Sequence, residues 1–324
     1  MPINFGSGDL GDVTISQNRK MLNIESYENL TIESGVTVTA PNGSILQVSE
    51  TLTLNGTIEV EPRYGSGGAG FGGDAGGAIF VLAKNVVGNG TIKASGVSGS
   101  NGGANNNNNN GDSGADGLPP IIAGAKTNVI KSGSAGGSNT TGGISSDTAI
   151  SRDLLSVWLD EWMIPSAKVS GLPMAKILSG GGADSSRGLQ NYNNNAYGGG
   201  GGAGGSLGGK GGNGGTGGRS GNANGSGKSG GGGGGAGGLV VLITESLSQD
   251  ITVIATGASG GEGIANGSKL CGAGGGGGGG ILIAGTPDGQ KPTYDLSGGT
   301  TGNQRPGNDG QDGVFTHIPI STIK

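Results

Sequence analysis

Asn55-Gly56-Thr57-Ile58-Glu59-Val60 and Asn89-Gly90-Thr91-Ile92-Lys93-Ala94 are two copies of one phrase, a turn dipeptide followed by a short β-prone run. Asn-Gly suits a tight turn, and an alternating Thr-Ile run suits a half-buried strand. An apolar run leads into each copy: Gly43-Ser44-Ile45-Leu46-Gln47-Val48 before the first, Gly76-Gly77-Ala78-Ile79-Phe80-Val81-Leu82 before the second. The arrangement returns twice more. Gly237-Gly238-Leu239-Val240-Val241-Leu242-Ile243 leads to Ile251-Thr252-Val253-Ile254-Ala255-Thr256-Gly257, and Gly279-Gly280-Ile281-Leu282-Ile283 leads to Tyr294-Asp295-Leu296-Ser297-Gly298-Gly299. Internal repetition is the signature of units that bury their apolar faces by stacking on one another. The expected class is all-β: short-strand β-solenoid or sandwich-like repeats.

Outward from these phrases, the first sixty residues hold further short runs, at Val13–Ile15, Leu30–Ile32, Val36–Val38 and Leu52–Leu54, separated by Ser34-Gly35, Pro41-Asn42-Gly43 and Asn55-Gly56. Composition divides the chain into an N-terminal β-rich region (1–64), a first glycine-rich β arm (65–117), an insert (118–197) and a second glycine-rich β arm (198–324). The arms share a closing element, Gly111-Asp112-Ser113-Gly114-Ala115-Asp116-Gly117 in one and Gly307-Asn308-Asp309-Gly310-Gln311-Asp312-Gly313 in the other. Uninterrupted glycine runs at 198–202, 230–235 and 274–280 would ordinarily be linkers. Here they recur in step with strands, which a linker does not require. Glycine in an extended left-handed helix, three residues per turn, lets neighbouring segments approach and bond to each other's outward-facing backbone. The glycine tracts are therefore expected to form ordered, polyglycine-II-like layers. Collagen is excluded, because no Gly-X-Y register is kept.

Composition excludes most other classes. Glycine supplies 81 of 324 residues against a usual share of about 7%. Aromatic residues are only 3% and charged residues 13%, so a conventional enzyme core is not expected. One cysteine, Cys271, and one histidine, His317, leave no material for an intrachain disulfide or a Cys/His zinc site. The net charge of −5 offers no basic stripe for nucleic acid, and no apolar run reaches the ~20 residues of a membrane helix. The first residues carry neither a basic region nor an apolar h-region, so no secretory signal is expected. Asn224-Gly225-Ser226-Gly227-Lys228-Ser229 echoes the end of a phosphate-binding loop, but Asn222 stands where the first glycine belongs and no helix follows. Asp112, Asp116, Asp309 and Asp312 read as Asp-Gly turns, with calcium ligation as the alternative. No nucleophile–base pattern surrounds His317, and neither catalytic residues nor cofactors are expected.

The insert is different. Residues 148–163 are predicted to be a helix, with Asp147 as N-cap and Pro165 as stop. Ile150, Leu154, Trp158 and Trp162 recur every four residues and form one stripe, either packed within the insert or presented as a partner interface. Asn105, Asn106, Asn107, Asn108, Asn109 and Asn110 form a polar loop tip, and Tyr192 and Tyr197 flank a second Asn-rich stretch. Both are either solvated connectors or contact loops, since Asn donates and accepts and Tyr adds apolar area at low entropy cost.

Taken in order, Asn4-Phe5-Gly6-Ser7-Gly8-Asp9-Leu10-Gly11-Asp12-Val13-Thr14-Ile15, Tyr27–Ile32, the Asn-Gly-Thr-Ile turns, the glycine tracts and Gly307–Val314 resemble a loose family of glycine-rich proteins of tailed bacteriophages and prophages. The resemblance covers most of the chain outside the insert. It implies a non-enzymatic virion surface protein, a tail-fibre or adhesin component made in the host cytoplasm. Its implied partners are other virion proteins, further copies of itself and a host-surface glycan or protein, without nucleic acid or membrane insertion. A capsid-decorating or baseplate-associated role is the alternative, and a cellular glycine-rich filament or surface protein a third. The helical insert departs from the family's layout.

Overall fold

The computed structural model describes residues 3–61, 73–74, 76–99, 233–261, 279–287, 289–300 and 309–319. Among the described residues every regular element is a strand. The chain passes alternately through two sheets. It lays β1 (Asp12–Ile15) in the first and β2 (Arg19–Lys20) in the second, then β3 (Ile24–Ile32) and β4 (Thr37–Ala40), then β5 (Ser44–Leu54) and β6 (Thr57–Val60). The glycine-rich arms continue the alternation with β7 (Ala78–Gly88) and β8 (Thr91–Lys93). Next, β9 (Leu239–Ile243) and β10 (Ser246–Leu247) join the first sheet and β11 (Thr252–Ile254) the second. The last passage is β12 (Gly280–Ala284) and β13 (Thr293–Asp295), and β14 (Val314–Ile318) closes the first sheet.

Strand order is β1-β3-β5-β7-β9-β12-β14 in one sheet, with β10 beside β7, and β13-β11-β8-β6-β4-β2 in the other. Every strand pair is parallel. Each passage therefore lies on the one before it. The alternating runs now have a physical reason, since one residue in two faces the space between the sheets. Leu46, Val81, Leu242 and Ile283 stand in register across the first sheet, all buried. Val38, Ile58, Ile92 and Val253 form the matching row of the second. Burying each such side chain contributes roughly 1.5–3 kcal/mol. On the outer face of the second sheet Thr37, Thr57, Thr91, Thr252 and Thr293 make a row one residue before the buried one.

The recurring Asn-Gly is explained by stacking. A Cβ on Gly90 would fall on the Gly56 carbonyl oxygen, and one on Gly56 would fall on that of Val36. The turns nest too closely for any side chain.

Ile45–Val48 and Leu52–Leu54, which read as two runs, are one strand, β5. Its register against both neighbours shifts between Val48 and Thr51, so β5 carries one residue more than β3 or β7. The irregularity is satisfied by amide side chains from either side. Asn29 Oδ1 accepts the Thr51 N–H (3.2 Å) and Asn85 Nδ2 donates to the Glu50 carbonyl (3.2 Å).

Candidate functional site

Glycine fixes where the most distinctive feature of the molecule lies. Outside the apolar core, the glycine-rich segments before β7, β9 and β12 and after β8, β11 and β13 carry few bulky side chains, and their backbones bond directly. Gly73 and Gly76 donate to Gly233 (2.7 Å) and Ala236 (2.9 Å). Gly96 and Gly99 donate to Thr256 (2.9 Å) and Ser259 (3.0 Å), and Gly257 and Gly260 to Ser297 (2.9 Å) and Thr300 (3.0 Å). Donors on each segment stand three residues apart. The intervening residues bond between the two layers: Val97 donates to Asp74 (2.8 Å), Gly235 to Val97 (3.0 Å), Gly238 to Ala94 (2.7 Å) and Ala258 to Gly235 (2.9 Å). The pairing of Gly235 with Val97 and of Gly238 with Ala94 shows the two layers running in opposite directions. Face-to-face sheets with side chains between them stand about 10 Å apart, a gap no backbone hydrogen bond spans. Contact of this kind requires the side chains to be gone. A Cβ on Gly235 would coincide with the Asp74 carbonyl, and residues 233–238 are buried throughout.

This layer is where the chain leaves and re-enters the described structure. Residues up to Gly99 and from Gly233 onward are hydrogen-bonded neighbours, and β7 meets β9 in unbroken register from Ala78↔Leu239 to Leu82↔Ile243. The span between, 100–232, is thus rooted at one place in the fold. It contains all the contact residues expected from sequence. Asn105–Asn110, the stripe Ile150, Leu154, Trp158 and Trp162, and Tyr192 and Tyr197 all lie outside the described residues, as do the predicted helix, Asp112, Asp116 and Cys271.

The two ends of the sheets differ. At the first end Glu25 is buried beneath the edge. Its carboxylate accepts from the Leu22 N–H (2.9 Å) and the Tyr27 hydroxyl (2.6 Å) and pairs with the Arg19 guanidinium. Burial first, and then the hydrogen bond to the Glu25 carboxylate, push the Tyr27 hydroxyl up to about 12. At the last end Tyr294 of β13 and Phe315 of β14 stack with ring centroids 4.4 Å apart and planes 6° from parallel. Lys291 Nζ lies 5.8 Å from the Phe315 ring centroid. Sequence reading did not single out this pair. The repeat carried the signal, because Tyr294 occupies the position of Ile58, Ile92 and Val253, where an aromatic is out of keeping.

His317 Nε2 lies 2.6 Å from Thr286 Oγ1, and Asp312 Oδ1 accepts the Gly298 N–H (3.0 Å) from a segment fourteen residues earlier, a contact between passages and not one within the Asp-Gly turn. Among the described residues no group of three His, Cys, Asp or Glu side chains could hold a metal ion, and no helix is long and apolar enough to cross a membrane. No protein-family model matches the chain, and no curated protein or solved structure matches it.

Proposed function

We propose that the chain is a non-enzymatic structural protein of a phage particle's exterior, a tail-fibre or adhesin component whose scaffold displays residues 100–232 toward a host surface. The scaffold in this reading is a β-solenoid whose passages at β7/β8, β9/β11 and β12/β13 combine a side-chain core with polyglycine-II-like layers. The observation that carries the reading is the backbone bonding of the glycine segments at three-residue spacing, in register with the strands. Three residues per turn is the period of the extended left-handed helix, whose polar groups all point outward to neighbours. A lattice of this type is stiff, because every segment is bonded on several sides. Stiffness with little side-chain chemistry suits mechanical display, and rooting the inserted span at one place suits presentation of a variable segment.

Labelling decides it. Antibodies raised against the purified chain, imaged on particles from the strain that carries the sequence, are expected to mark the tail or its fibres. The purified protein is expected to adsorb to intact host cells and to lose adsorption when residues 105–110 become a Gly-Ser loop and Tyr192 and Tyr197 become Ala. Label confined to the capsid surface would support the decorating role instead. Label on bacterial cells without particles would overturn the virion reading.

A further inference from the structure

The strands of the two sheets differ in a way that the space between the sheets does not explain. In β4, β6, β8 and β11 buried residues alternate with half-exposed ones, as one covered face requires. In β9 all five residues are buried, and in β7 the first six are. Phe80, Leu82, Leu239, Val241, Ile243 and Ala284 alternate with the inward Ile79, Val81, Val240, Leu242 and Ile283, so they face away from the second sheet. None is more than 6% exposed, and none belongs to the core between the sheets. A parallel sheet buried on both faces reads as a continuous apolar run, and helices are its usual cover. The same outer rows reach β5 at Ile45 and Gln47, which are half-exposed. The second apolar face therefore begins with the passages that flank residues 100–232. Part of its cover is visible. A Cβ on Gly8 would lie 3.1 Å from Ser49 Oγ, one on Gly6 2.7 Å from Gln47 Cβ, and one on Gly285 3.3 Å from Ile3 Cδ1. The N-terminal residues thus cross the outer face from β5 to the end of β12, with buried Phe5 between. Gln47, Leu82, Ile243 and Ala284 form one level in register, and the crossing lies along it. Val241 stands two residues before that level and Leu239 four, about 7 and 13 Å along the strand, yet both are buried.

We propose that the expected helix of the insert, residues 148–163, covers this remainder, with Ile150, Leu154, Trp158 and Trp162 packed against Phe80, Leu239 and Val241. The segment lies outside the described residues, and its place in the chain and its composition point to it. The span that contains it re-enters the fold at Gly233, six residues before Leu239, and the face is centred on the two first-sheet strands either side of that span. Four apolar side chains at a spacing of four give a stripe about 18 Å long. That is enough to cross β9, whose five residues measure roughly 13 Å. Among the other stretches outside the described residues, 62–72, 262–278, 301–308 and 320–324, none holds more than two large apolar side chains. The chain's two tryptophans both lie on the stripe, and each can bury roughly 150–250 Å². The stripe then belongs to the scaffold, and a partner meets the polar stretches on either side of it.

Photo-cross-linking of the full chain tests it. With Leu239→p-benzoylphenylalanine, irradiation should join position 239 to a peptide from 148–163. Products formed only with other segments of the chain, or with a second copy, would overturn the proposal. Should that replacement prevent folding, thiol accessibility decides instead. In a Leu239→Cys, Cys271→Ser chain the thiol at position 239 should resist a maleimide. Adding Trp158→Ser and Trp162→Ser should abolish that resistance while the strand signal in circular dichroism persists. A thiol that reacts in the first chain, or stays shielded in the second, would overturn the proposal.

Discussion

At the scale of single residues, the molecule reverses the usual relation between side-chain size and importance. Gly235 contributes no side chain, yet a methyl there collides with the Asp74 carbonyl, and the neighbouring layer is backbone that cannot rotate aside. Gly235→Ala should therefore destabilise by at least the 1–3 kcal/mol of ordinary overpacking, read as a lowered melting temperature. Tyr27 allows a sharper measurement. Its hydroxyl, raised to about 12 from an ordinary 10, keeps its proton in the folded chain at pH values where the unfolded chain loses it. Between those values the unfolded state binds fewer protons, so stability present below pH 10 is lost as pH rises toward 12. Denaturant titrations should show that decline in the unsubstituted protein and a shallower one in Tyr27→Phe.

At the scale of elements, the buried rows determine strength and the irregularities determine shape. Ile92 stands fully buried between Ile58 and Val253, and Ile92→Ala should cost about 2–5 kcal/mol, read by chemical denaturation. The pairs Lys93–Glu59 (2.7 Å) and Lys84–Glu50 (2.8 Å) join adjacent strands on half-exposed surface. Glu59→Gln should change stability by less than about 1 kcal/mol, an effect that vanishes in high salt. The strands were legible in the sequence because alternation and Asn-Gly turns are local signals, so β4, β6, β8 and β11 fall close to their expected positions. The continuity of β5 was not. Within β5 the period of two runs on through Val48 and Leu52, but the position between them is Glu50, exposed and charged, so the apolar signal stops where the strand does not. Nor was β2 visible, because Arg19-Lys20 is held by its pairing to Val38 and Thr39 and by no β propensity of its own. The contact residues expected in 100–232 rest on sequence alone.

At the scale of the whole molecule, the register of β7 on β9 runs through unaltered although residues 100–232 intervene in sequence. Val97 and Gly235 are hydrogen-bonded at 3.0 Å, so the two roots of that span can be joined by a few residues. A chain lacking residues 101–232, closed by a four-residue Gly-Ser linker, should keep its strand-type circular dichroism spectrum and melt cooperatively. Loss of structure would show instead that the span is needed to hold the two halves together. The same continuity has a consequence in time. If the first four passages form as they leave the ribosome, their growing edge at β7 and β8 is complete before its partners β9 and β11 have been made. At ordinary elongation rates that edge waits roughly ten seconds while residues 100–232 are added. Throughout that interval the nascent chain presents unpaired backbone beside Phe80 and Leu82. Neighbouring ribosomes on one message carry the same edge at the same stage, so crowding on the polysome is where this architecture is most exposed to pairing with the wrong copy.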